Sequence, residues 1–176
     1  MRSDRIVIDG TGNGFRDAVA ETRKVVSYLE LTEAEALQLE LITEEMLSLA
    51  RSVTGEIQAA FYLENEGRNI ELHMTTKTVM DREKRAQLLT AATSRKNEAA
   101  KTFLGRLRDA FELALTADAE RVYYELPAEM QNDVVHSDDE EWDGYERSIL
   151  RRLADNVKIS IRGGLVDMTV LKRFDK

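Results

Sequence analysis

The sequence predicts an α+β fold: a two-layer sandwich with a mixed, mostly antiparallel sheet of about five strands and helices on one face. Period-two alternation in several short segments, amphipathic helical spacing between them, and two hairpin-like pairs predict it. Strands that alternate apolar and polar residues bury one face only, so the helices are expected to share that face. The 176 residues suit a single domain, 1–176, since domains usually hold about 100–150 residues.

Arg5-Ile6-Val7-Ile8-Asp9 reads as a short strand, and Gly10-Thr11-Gly12-Asn13-Gly14 as a turn. Phe15, Val19, Val25, Val26 and Leu29 follow helical spacing, and Thr32-Glu33-Ala34-Glu35 is a capping box for a second helix running to about Val53. On that helix Leu39, Ile42, Met46, Leu49, Ala50 and Val53 share one face, while Leu37, Leu41, Glu44 and Ser48 fall on the opposite side. Ile57, Ala59, Phe61 and Leu63 alternate with polar or small residues. A turn at Glu64–Arg68 returns the chain through Ile70, Leu72 and Met74, giving a first hairpin.

A short helix is expected over Asp81–Thr90. Beyond the capping candidates Thr93 and Ser94, the residues Ala100, Phe103, Leu104, Leu107, Phe111, Ala114 and Leu115 repeat at helical spacing, and this stripe is expected to be core. An acidic surface segment, 116–142, contains the sole proline, Pro127, and the run Asp138-Asp139-Glu140-Glu141. Trp142, Tyr145, Ile149 and Leu153 mark a last helix, which Trp142 and Tyr145 are expected to anchor on the sheet. Val157–Ile161 and Val166–Val170 flank Gly163-Gly164 as a second hairpin.

Composition narrows the function classes. The net charge of −8 disfavours nucleic acid and anionic membrane as partners, because both repel an acidic surface. Met1-Arg2-Ser3-Asp4 leads into a strand rather than a signal sequence, and no apolar run approaches the ~20 residues of a membrane span, so a cytoplasmic location is expected. With no cysteine and only His73 and His136, neither a disulfide nor a zinc site of the usual kind is expected.

Leu39-Glu40-Leu41-Ile42-Thr43-Glu44-Glu45-Met46-Leu47-Ser48-Leu49-Ala50-Arg51 and Ile149-Leu150-Arg151-Arg152-Leu153-Ala154-Asp155-Asn156-Val157, with the element order and the closing Thr169–Phe174, carry a family likeness. They resemble the GHKL superfamily of histidine-kinase-like ATPases, closest to the small bacterial anti-sigma-factor serine kinases. The resemblance covers roughly residues 1–80 and 142–176 and implies a Bergerat-like fold, ATP and Mg²⁺ as cofactors, a homodimer, and a sigma factor or anti-anti-sigma protein as partner. It implies Glu44 as the catalytic glutamate, with Ser48, Leu41, Thr75 and Lys77 at the nucleotide. Ser48 stands where the family has its Mg²⁺-binding asparagine, and a hydroxyl is a poorer ligand for a hard cation than an amide carbonyl. Thr75-Thr76-Lys77-Thr78-Val79-Met80 replaces the adenine-reading aspartate and its glycines, and the glycine-rich lid is missing.

The expected function is therefore a degenerate histidine-kinase-like protein, a bacterial regulatory interaction module with weak or no nucleotide binding. The alternatives are an active ATP-dependent serine kinase or ATPase with Glu44 as base, and a homo-oligomeric structural protein. Gly10–Gly14 lacks the Lys-Ser/Thr of a P-loop and reads as a turn. Thr93–Asn97 reads as a cap sooner than an anion site, and the acidic run lacks the alternating ligands of a calcium loop. No metal site is expected.

Overall fold

Alternation sets the sheet. The computed structural model describes residues 1–9, 11–54, 58–124 and 150–175, with the backbone alone for Thr54 and 116–124. Its strands are β1 (Ile6–Ile8), β2 (Ala59–Glu66), β3 (Asn69–Lys77), β4 (Asn156–Arg162) and β5 (Leu165–Arg173), side by side in the order β1-β2-β3-β5-β4. Each neighbouring pair is antiparallel, so the parallel component implied by a mixed sheet is not found among the described strands. In β3, Ile70, Leu72, Met74 and Thr76 are buried while Glu71, His73 and Thr75 are half-exposed, which is the one-sided burial that period two requires.

Helices α1 (Phe15–Tyr28), α2 (Glu33–Thr54) and α3 (Arg82–Ala91) cover the apolar face. All six residues assigned to the apolar face of α2 are buried, and Leu47 joins them. Residues 150–153 are helical, with Leu150 buried and Leu153 half-buried against the core. Ile57 and the anchors Trp142 and Tyr145 lie outside the described residues.

The capping box forms as read. Thr32 donates its backbone N–H and hydroxyl to the Glu35 carboxylate at 2.8 and 2.9 Å, and the Glu35 N–H reaches the Thr32 hydroxyl at 3.4 Å. Arg68 donates to both Glu35 oxygens at 2.7 Å. The Thr32 N–H first, and Arg68 with it, hold the Glu35 carboxyl below its ordinary value of 4.5. A depressed carboxyl pKa stabilises the fold above the unfolded value and loses that contribution as pH falls through the folded one. Glu35→Gln is therefore expected to flatten the acid limb of the stability–pH curve below about pH 4.5. Parallel acid limbs in the two proteins, measured by denaturant titration, would contradict this.

The turn after β1 is built around Asp9. Its carboxylate accepts from the Thr11 and Asn13 backbone N–H groups at 3.0 and 3.1 Å and from both of their side chains. Those amides face an internal carboxylate, so a turn, and not a phosphate cradle, is what this segment makes. Gly14 opens α1 at φ 91°, where a Cβ would stand 2.3 Å from the Val7 carbonyl oxygen.

The free edge of β4 is capped by side chains. Thr93 donates its backbone N–H to the Val157 carbonyl and accepts the Val157 N–H on its hydroxyl. Asn97, 6% exposed, repeats this at Ile161, accepting the N–H at 2.8 Å and donating to the carbonyl at 2.9 Å. Thr93 and Ser94 are thus not the cap of the next helix. A 3-10 turn at Glu98–Ala100 intervenes, and α4 (Phe103–Tyr124) is capped by the Thr102 hydroxyl, which accepts the Gly105 N–H at 3.0 Å. The first part of the acidic segment, 116–124, continues α4; the rest, to residue 142, lies outside the described residues.

Candidate functional site

The five residues nominated from the sequence occupy two different sides of the sheet. Glu44 is exposed and Leu41 and Ser48 half-buried on α2, above the apolar face. Glu44 lies beside the Arg23–Glu40 ion pair, close enough to help hold the Arg23 guanidinium charged. Thr75 and Lys77 share the parity of Glu71 and His73, so they lie on the opposite face of β3, away from α2. The Thr75 hydroxyl donates to Asp167 across the strand pair at 2.9 Å. Asp81, the first aspartate after β3, accepts the Lys84 N–H at 2.8 Å and caps α3.

Between α2 and the sheet, Ala50, Val53, Met74, Thr76, Leu88, Val166 and Met168 close around a void of only about 10 Å³. A water needs at least that much room and polar partners besides. None of Glu44, Ser48, Leu41, Thr75 and Lys77 lines this void. Among the described residues no group of three or more His, Asp or Glu is placed to hold a metal ion.

The outer sheet face carries its own linked cluster. Tyr62 and His73 stack at 4.7 Å, the Arg2 guanidinium lies 4.0 Å over the Tyr62 ring, and the His73 ring meets Thr169 at 3.3 Å and Glu71 at 3.3 Å. These contacts tie β2, β3 and β5 together side to side.

The surface that departs most from an ordinary fold is α4. The stripe expected to be core is instead exposed: Phe103 is 73%, Leu104 75%, Leu107 61%, Phe111 65% and Leu115 56% accessible. Between 103 and 115 only Gly105, Asp109 and Glu112 are not exposed, and at about 100° per residue these three share one side. The helix is attached by its polar side. Asp109 accepts from Arg85 and, at 2.5 Å, from the Asn97 amide, and Glu112 accepts the Gly163 N–H at 2.9 Å. Gly105 permits the close approach, since a Cβ there would stand 2.1 Å from the Ala99 carbonyl oxygen. Beside this seam a cleft of about 400 Å³ runs between α4 and β4, with Leu104 and Arg108 on its rim.

No protein-family model matches the chain, and no curated protein does. The α4 platform therefore has to be read from its own chemistry. Helical periodicity puts the stripe on one side of α4, and the structure turns that side outward. The signal that finds its orientation is the opposite side: a glycine and two acids at 105, 109 and 112, with Arg85 and Asn97 available to receive them.

Proposed function

We propose that this chain is a degenerate histidine-kinase-like protein acting by protein–protein contact in bacterial regulation, with weak or no nucleotide binding. The observation that carries the reading is the outward apolar side of α4, fixed to the body through polar contacts. Five large apolar side chains more than half exposed on one helix are the mark of a surface that meets another molecule. The separation of Glu44 and Ser48 from Thr75 and Lys77 supports weak nucleotide binding, because an ATP site needs its base, metal ligand and base-reading groups on one cleft. A sigma factor or anti-anti-sigma protein is the partner that the family resemblance suggests. Leu37, 60% exposed on the Glu44 side of α2, supports a homodimer contact there.

Thermal unfolding with and without millimolar Mg-ATP tests this reading. A ligand bound only by the native state at a hundredfold excess over Kd would add about 2.7 kcal/mol. No rise in midpoint is expected. A rise that Glu44→Ala abolishes would replace the interaction reading with an ATP-dependent kinase or ATPase.

A further inference from the structure

We propose that the α4 platform takes an amphipathic helix with acidic borders from a different protein, an inference that rests on the interaction reading above. At about 100° per residue, Phe103, Leu104, Leu107, Phe111 and Leu115 fall within an arc of about 120°. Arg106 stands beyond one border of that arc and Arg108 beyond the other, and both are exposed. Arg106 has no side-chain partner among the described residues, while Arg108 reaches Glu112 at 2.7 Å from an exposed position.

The acids of this stretch point the other way. Asp109 is taken up by Arg85 and Asn97, and Glu112 by the Gly163 N–H and Arg108. The platform is thus an apolar strip between two cationic edges on a protein whose net charge is −8. A helix laid along such a strip presents leucine-like residues at i, i+3, i+4 and i+7 to the apolar side chains and its flanking residues to the arginines. Acidic flanks are attracted to those edges and basic flanks are repelled. Over residues 103–115 a second copy laid on this face brings the same arginine edges, while its Asp109 and Glu112 are turned inward, so this stretch does not complement itself.

Two synthetic helical peptides test the proposal: both carry leucine at i, i+3, i+4 and i+7, one with glutamate borders and the other with lysine borders. At low salt the glutamate peptide is expected to bind at least about ten-fold tighter, as oppositely charged edges should give. The preference should reverse in the Arg106→Glu/Arg108→Glu variant, and binding should be lost in Leu107→Asp, whose thermal midpoint should be unchanged because that side chain is exposed. Equal affinity for the two peptides would overturn the acidic-partner inference and leave the interaction reading standing. So would self-association that Leu107→Asp abolishes, or binding to phosphatidylserine vesicles without binding to the glutamate peptide. If neither peptide binds, and an apolar dye binds wild type no better than Leu107→Asp, the face is covered within the chain and both readings fall together.

Discussion

Asp109→Ala is expected to lower the unfolding free energy by about 3–5 kcal/mol, the cost of leaving one member of a buried ion pair without its partner. The Arg85 side chain is 9% exposed and that of Asp109 24%, so the guanidinium left behind has little access to water. The Asn97 amide loses an acceptor in the same change, while its other bonds go on holding the β4 edge. Arg85→Met/Asp109→Leu is expected to recover most of the loss, since apolar residues of similar volume often replace a buried pair at little cost. Denaturant unfolding of the two variants checks both statements. A loss under 1 kcal/mol in the single variant would mean that Arg85 has another route to solvent or charge.

Phe61→Ala is expected to cost about 3–5 kcal/mol, whereas Phe111→Ala should fall within about 0.5 kcal/mol of wild type. Phe61 is fully buried on β2, flanked by Ile6 on β1 and Met74 on β3, so truncation opens a cavity that the flanking strands cannot close. Phe111 is 65% exposed and its ring leaves few contacts behind. The same substitution at two phenylalanines thus separates the core from the platform. A cost above about 2 kcal/mol at Phe111 would show that α4 has its apolar side against protein.

Much of this was readable from residue order. Ile70, Leu72 and Met74 could be placed inward because period two on a sheet with one covered face leaves no other arrangement. Thr32 and Glu35 could be paired because the capping box is local, closing over three residues without tertiary help. The same parity also places Thr75 and Lys77 on the face of β3 away from α2. The environment of α4 was less legible. Helical spacing states that Phe103, Leu107 and Phe111 share a side, and is silent on whether protein waits there. That depends on Arg85 and Asn97, 24 and 12 residues from Asp109 in sequence. Thr102 caps α4 with a hydroxyl that Thr93 and Ser94 offer equally in sequence, and what sets Thr93 apart is its bonding to the backbone of β4.

The side-chain seal along β4 also limits how the molecule can be joined to others. Thr93 and Asn97 occupy the groups of Val157 and Ile161 that an incoming strand would need, and at the far end of the sheet β1 offers three residues, with Arg2 bridging to Glu64 beyond it. Growth by strand addition is obstructed at both margins. Assembly is thereby directed away from backbone recognition, which tolerates almost any sequence, and toward contacts that read side chains.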